Sequence, residues 1–148
     1  MPLPAFTADG DLPAGIHTAV LAEVLQRFGS ASHQRALIAQ RLAHIHHTAT
    51  ATGHVAHFVI FGSFVTAKQA PNDVDVFLIM EDTFDVAAQH GVTRLLFDHP
   101  AAQDHFGASI FWLRRCSALE GERAAIAHWQ IKRNGLRRGI VEVIQEQP

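Results

Sequence analysis

Two aspartates, Asp73 and Asp75, are the residues of this sequence whose type and spacing point most directly to chemistry. Successive side chains of a β-strand alternate between its faces, so both carboxylates share one face if residues 73–80 form a strand. Two carboxylates on an apolar strand repel each other and lose hydration, and a bound cation or a basic partner relieves both costs. Oxygen ligands at this spacing suit Mg²⁺ or Mn²⁺, so we expect Asp73 and Asp75 to bind metal.

The pair Gly62-Ser63 follows Val55–Phe61, an apolar and β-branched run that is typical of a buried strand. A glycine lets the backbone approach a ligand closely, and Ser63 can cap the next turn. Free backbone N–H groups at such a turn attract phosphate oxygens. The sequence therefore predicts a phosphate-binding turn beside the metal pair, which is what a nucleoside triphosphate and its metal require.

The stretch Phe58–Met80 resembles the nucleotidyltransferase superfamily, the fold of DNA polymerase beta and of kanamycin-type nucleotidyltransferases. The family pattern is an apolar strand that ends in Gly-Ser, a variable connection, and Asp-apolar-Asp flanked by apolar residues. Here nine residues separate Ser63 from Asp73-Val74-Asp75-Val76. The resemblance covers residues 58–80 of the 148.

This resemblance implies a role for each residue of the motif. Asp73 and Asp75 would coordinate the metals and carry catalysis, Gly62 and Ser63 would hold the β and γ phosphates, and Lys68 would reach a phosphate. The implied cofactors are Mg²⁺ or Mn²⁺ and a nucleoside triphosphate, with ATP as the first expectation. The implied activity is transfer of a nucleoside monophosphate to a hydroxyl group of a protein, an RNA or a small molecule.

The third carboxylate of active family members has no counterpart in this sequence. In those members it lies on a later strand, where it helps to bind the catalytic metal and to activate the attacking hydroxyl. The predicted strand 107–113 holds no acid, and Ser109 stands about where one is expected. The candidate third ligands are Asp104, Glu142 or none, and loss of a general base costs roughly 100- to 10,000-fold in rate.

Three hypotheses for the function stay open from the sequence. The first is an active metal-dependent nucleotidyltransferase. The second is a catalytically degenerate domain that binds a nucleotide or a protein partner, in a toxin–antitoxin-like or regulatory pair. The third is a His-rich metal-binding or structural domain, since the chain has eleven histidines. They include a cluster at His44, His46 and His47, which no Cys pair or His-Glu-x-x-His motif accompanies.

Positive charge concentrates near the C-terminus, where seven of the twelve Lys and Arg residues follow residue 113. These residues either form a basic face that meets phosphates or belong to a solvated surface. Arg137 and Arg138 follow an Asn134-Gly135 turn signal, and either guanidinium can bind phosphate through two parallel hydrogen bonds.

Composition places the chain among globular proteins, with 48% hydrophobic residues and a formal net charge of −2. The charge disfavours standing non-specific binding to nucleic acids. Cys116 is the single cysteine, so no intrachain disulfide forms, and no apolar run approaches the roughly 20 residues of a membrane span. We expect a cytoplasmic protein with no membrane partner and no signal peptide.

Periodicity predicts an α+β fold, with two N-terminal helices and a small mixed sheet of about four strands flanked by helices. We expect one nucleotidyltransferase-like domain over residues 1–148, with residues 1–15 as an extended arm. Helix-type spacing covers 20–28, and a second helix capped by Ser30 or Ser32 has Leu37, Ile38, Leu42 and Ile45 on one face. The remaining predicted elements are strands 55–61, 73–80, 108–113 and 139–144, and helices 84–97, a short one after Asp98, and 118–131.

Overall fold

A mixed five-stranded β-sheet organises the protein in the computed structural model, which describes residues 2–145. Met1 and residues 146–148 of the predicted domain lie outside the described residues. The strands are Ile16–Val20 (β1), Val55–Phe61 (β2), Val74–Met80 (β3), Ala108–Arg114 (β4) and Ile140–Ile144 (β5). The α-helices are Leu21–Gly29 (α1), His33–Thr50 (α2), Gly91–Leu96 (α3), His99–Phe106 (α4) and Glu122–Ala127 (α5).

The strand order across the sheet is β1-β5-β2-β3-β4. The central strands β5, β2 and β3 pair in antiparallel fashion, whereas the outer pairs β1–β5 and β3–β4 are parallel. The expected α+β class is therefore confirmed, but the sheet has five strands instead of about four. The additional strand is β1, which lies between the predicted arm and the predicted first helix and overlaps that helix only at Val20. Its pairing partner lies far along the chain, so no local pattern marks it.

Four helices pack on the first face of the sheet and form the main hydrophobic core. Val74 and Val76 of β3 point into this core, as the alternation of the strand predicts, together with Ile38, Leu42 and Ile45 of α2. Leu37 of α2 is 41% exposed and does not belong to that face. The buried face of the helix begins with Arg35 instead, because positions 35, 38, 42 and 45 follow the helical repeat.

The second face of the sheet carries a smaller core, which α5 and the following 3₁₀ turn, His128–Gln130, cover only in part. Its buried residues include Val59, Phe77 and Ile126. At the end of the sheet where β2 stops and β3 begins, this face opens into a cleft. The division of the sheet into a fully covered face and a partly covered face therefore determines where a ligand can enter.

Capping signals located two helices well, whereas two predicted helices are shorter than expected. The Ser32 hydroxyl accepts the Arg35 N–H at the start of α2, and Asp98 accepts the Ala101 N–H at the start of α4. The predicted helix 84–97 is a 3₁₀ turn at Val86–Ala88 followed by α3, whose first residue, Gly91, has φ +59°. The predicted helix 118–131 is reduced to α5 and its 3₁₀ extension, since residues 118–121 form a turn.

The N-terminal arm is extended as expected, but it packs against the domain. Leu3 and Leu12 are buried in the main core. The Gly10 carbonyl accepts the Ala67 N–H, and the Leu12 carbonyl accepts the Gly139 N–H. The arm is thereby held beside the open end of the second face. Within residues 2–145, no helix combines the length and the apolar character that crossing a membrane requires.

Candidate functional site

The strand register brings the predicted acidic pair to the open end of the second face. Asp75 is opposite Phe61 at the end of β2 and opposite Ser109 on β4. Asp73 immediately precedes β3, and its charge acts directly on Asp75. Both carboxylates are half-buried. The structure therefore brings Asp73 and Asp75 together as the sequence predicts, beside the Gly62-Ser63 turn.

Gly62 allows a contact that no other residue type permits. Its φ of +80° and ψ of −165° lie in a region that is open essentially to glycine alone. A Cβ atom at this position would lie 2.0 Å from Oδ2 of Asp75, so the carboxylate rests directly against the glycine backbone. The 3₁₀ turn Ser63–Val65 follows, and no side chain caps its start. Backbone N–H groups and a carboxylate pair are thus adjacent, as a phosphate with its metal needs.

Ser109 occupies the position at which the resemblance predicts a third acid. Its hydroxyl donates to Oδ2 of Asp73 at 3.4 Å and is close enough to Asp75 to affect its pKa. The Gln103 amide donates to the same hydroxyl oxygen at 3.2 Å. The alternative third ligands lie elsewhere, since Asp104 is exposed on α4 and Glu142 contacts His57. Among residues 2–145, no group of three or more His, Cys, Asp or Glu side chains is arranged to hold a metal ion.

Burial raises the pKa of Asp75 from its ordinary value of 3.8 to about 6. The negative charge of Asp73 adds to the increase, whereas Arg138 and the Ser109 hydroxyl act in the opposite direction. Because the increase dominates, the nearby donors and positive charges do not compensate ionised Asp75 fully. An incompletely compensated carboxylate in a cleft is typical of a site that receives a cation.

Asp75→Asn is expected to stabilise the metal-free protein at pH 7 by about 2 kcal/mol. The folded protein binds the Asp75 proton more tightly than the unfolded chain does. The stability from that proton is therefore complete below pH 3.8 and is lost as the pH rises through about 6. Denaturant unfolding without divalent cations should show a difference in unfolding free energy between Asp75→Asn and the unmodified protein at pH 7. This difference should disappear as the pH falls toward about 4.

Asp82→Asn is the matched control for this measurement. Asp82 is exposed, and the backbone N–H of Cys116 lowers its pKa. Replacing it should give no stabilisation at pH 7. If Asp75→Asn is no more stable than the unmodified protein at pH 7, the carboxylate at position 75 is already compensated in the folded state.

The cleft beside the acidic pair has a volume of about 910 Å³ and is lined by groups of both charges. Its cations are Lys68, Arg133 and Arg138. Of the C-terminal basic residues, Arg138 therefore faces the site, whereas Arg137 is exposed outside the cleft. Cationic side chains therefore lie beside the acidic pair, and guanidinium groups form strong hydrogen bonds with phosphate oxygens.

The arm contributes two acids to the cleft, Asp9 and Asp11, which no sequence pattern connects with the site. Asp11 forms ion pairs with Lys132 at 3.0 Å and with Arg138 at 3.8 Å. Asp11 thereby holds the C-terminal segment against the arm and fixes Arg138 near Asp75. The arm, which the sequence predicts only as an extended segment, therefore forms one wall of the site.

Arg35 is a further supporting residue that the sequence did not reveal. Its guanidinium is buried and donates to the carbonyl oxygens of Phe28, Phe64, Thr66 and Lys68. Burial lowers its pKa. Each buried carbonyl left without a donor costs about 1–3 kcal/mol, so this one side chain fixes the segment that continues from Ser63 to Lys68.

The histidines that the sequence grouped together have separate surroundings. The His44 ring packs against Phe106, and the His46 ring packs against Phe58. His57 lies between Glu142 and Glu122, with its ring nitrogens 2.5 and 3.0 Å from the carboxylates. These contacts account for His44 and His46 as packing residues and for His57 as an ion-pair residue.

Comparison with curated proteins finds no match to this chain, and comparison with solved structures finds none either. One family model matches, and it spans residues 4–144, which include most of the arm, the whole sheet and every residue of the cleft. The chain therefore belongs to the family of unknown function DUF6932.

Proposed function

We propose that this protein is a nucleotidyltransferase-type protein that binds a metal-complexed nucleoside triphosphate and transfers its nucleoside monophosphate to a hydroxyl acceptor. The observation that carries the proposal is the contact of Asp75 with Gly62, at the edge of a cleft that also holds Lys68, Arg133 and Arg138. Asp75, a glycine turn and three cations line one cavity, and Asp73 lies next to Asp75. A triphosphate with a divalent cation satisfies all three features.

The residues present fit this ligand. Asp73 and Asp75 offer carboxylate oxygens, which Mg²⁺ and Mn²⁺ prefer, and the pKa of Asp75 shows that its charge is incompletely compensated. The turn after Gly62 has no side chain at its start to compete for its N–H groups. A bound divalent cation would supply charge neutralisation for the phosphates and for the leaving pyrophosphate.

The chain's own residues would bind and orient the nucleotide. Ser63 and the backbone of its turn would hold the terminal phosphates, with Lys68 beside them on the same segment. Arg35 holds that segment in place, because its guanidinium donates hydrogen bonds to the carbonyl oxygens of Phe64 and Thr66. Arg133 and Arg138 approach from the C-terminal side, so the triphosphate would lie between two basic walls. ATP is the first nucleotide to test, and Mg²⁺ the first cation.

The double replacement Asp73→Asn/Asp75→Asn is expected to weaken Mg²⁺-dependent ATP binding by at least about 100-fold. The amides keep the size of the carboxylates but remove the charges that hold the cation. Calorimetry with ATP, CTP, GTP and UTP, each with and without Mg²⁺, measures this directly. Transfer is measured in parallel with labelled triphosphates and a cell lysate as the source of acceptors.

The control for the double variant is Asp85→Asn/Asp104→Asn, which removes two exposed carboxylates outside the cleft. It should bind ATP and Mg²⁺ like the unmodified protein. Triphosphate binding that survives unchanged in the Asp73/Asp75 variant would contradict the proposal.

A second function is favoured by one observation, the serine at position 109. Its hydroxyl is hydrogen-bonded to Asp73, but a serine is a poor base and a weak metal ligand. A protein that binds the nucleotide without rapid transfer would serve as a nucleotide-responsive module for a protein partner. Saturable ATP binding without transfer to any acceptor is the result that would favour this function.

A further inference from the structure

Three phenylalanines and a tryptophan form a continuous aromatic surface at the cleft. Trp129 lies over Phe61, Phe77 and Phe111, which come from β2, β3 and β4, with ring centroids at 4.5, 5.1 and 5.1 Å. The planes of the indole and the three phenyl rings are inclined by only 31–39°. Tilted rings at these separations cover only part of each other's faces.

Part of this surface faces the cleft instead of the core. Phe61, Phe111 and Trp129 all line the same cavity as Asp75 and Gly62. Phe111 is 37% exposed, although phenylalanine is among the residues most often buried. An exposed aromatic side chain beside a charged cavity has a hydration cost that a stacked ligand would remove.

The register of β4 fixes the distance between this aromatic surface and the acidic pair. Ser109 and Phe111 are two residues apart on one strand, so their side chains point to the same face about 7 Å apart. Ser109 contacts Asp73 at the metal-type pair. A ligand with a charged end at Asp73 and Asp75 and a flat aromatic end would therefore span both parts of the cleft.

We propose that Phe111 and Trp129 form the binding surface for the nucleobase of the bound nucleotide. The inference rests on the proposed function, because the base is placed by a triphosphate held at Gly62-Ser63. Stacking on an aromatic ring tolerates every base, since each base has a π face. We expect purine nucleotides to bind more tightly than pyrimidine nucleotides, because they present the larger flat surface.

The test compares ATP with inorganic tripolyphosphate, which carries the same phosphate chain without a base or a sugar. In the presence of Mg²⁺, Phe111→Leu should weaken ATP binding about tenfold and leave tripolyphosphate binding unchanged. Leu119→Ala is the control for loss of an exposed apolar side chain, since Leu119 is 93% exposed and lies outside the cleft. Calorimetry gives both affinities for all three proteins.

Tryptophan fluorescence provides a second measurement on the same ligands. Trp112→Phe removes the other tryptophan, which packs edge-on against Phe84 and Phe97 on the opposite face of the sheet. In that variant, ATP should quench the emission of Trp129 and tripolyphosphate should not. Stacking places the base against the indole, whereas the phosphates lie at the other end of the cleft.

The outcomes separate this inference from the proposed function. Equal affinity for ATP and tripolyphosphate, or an unchanged ATP affinity in Phe111→Leu, would overturn the base-binding surface and leave the phosphate site standing. Saturable ATP binding with no change in Trp129 emission would overturn it as well. If neither ligand binds, the proposed function fails and the inference fails with it.

Discussion

Ser109→Asp is expected to raise the rate of nucleotidyl transfer by roughly 100- to 10,000-fold, the range associated with a general base. Parallel pairing places residue 109 directly opposite Asp75, so an aspartate there would join the two existing carboxylates on one face. It would add a ligand for the cation and a base for the acceptor hydroxyl. The measurement is transfer of label from ATP to lysate acceptors, with Mg²⁺ present, under single-turnover conditions.

Ser109→Asn is the matched control, because asparagine has the shape of aspartate without its charge. It should show no increase in transfer. The added charge should also make folding depend on metal, with Ser109→Asp less stable than the unmodified protein in chelator and restored by Mg²⁺. A Ser109→Asp protein that binds Mg²⁺ and ATP normally but transfers no faster would exclude position 109 as the site of the missing acid.

Gly62→Ala is expected to cause the second large effect, the loss of metal and nucleotide binding by at least about 100-fold. The new methyl group would coincide with the carboxylate of Asp75, whose Oδ2 lies 2.0 Å from the Cβ position. The carboxylate must rotate away from the pair, and the alanine must also adopt a φ of +80°. The backbone strain alone costs about 1–3 kcal/mol, which denaturant unfolding measures.

Gly53→Ala is the control that separates the effect of backbone strain from the effect of a steric clash with Asp75. Gly53 has φ +75°, close to that of Gly62, but nothing lies within 4 Å of its Cβ position. This variant should lose stability because of its positive φ and keep full affinity for ATP and Mg²⁺. If Gly62→Ala keeps its affinity too, the contact between the glycine and Asp75 is not needed for the site.

The parts of the fold that local pattern predicts are those that local physics determines. Strands β2 and β3 are marked by their own apolar runs. The capping residues Ser32 and Asp98 form hydrogen bonds with N–H groups only three residues away. The acidic pair of the site follows from the same reasoning, since alternation of side chains along the strand places Asp73 and Asp75 on one face. These features needed no knowledge of tertiary contacts.

The parts that local pattern missed depend on contacts between distant segments. β1 is a strand because β5 lies beside it, and Arg35 is buried because four carbonyls from two other segments surround it. The arm acids Asp9 and Asp11 and the aromatic residue Trp129 reach the cleft only once the sheet has assembled. The type of a charged or aromatic residue does not by itself determine which cavity its side chain will line.

The position of β5 has a consequence for the order in which the chain folds. β5 is the last strand in sequence but lies between β1 and β2 in the sheet. Its partner β1 lies roughly 120 residues earlier, and contacts of such separation form slowly. Until β5 is synthesised, one edge of β2 stays unpaired and exposes a template for pairing with other chains. We expect a nascent chain that ends before residue 139 to be prone to aggregation, and the addition of β5 to complete the sheet.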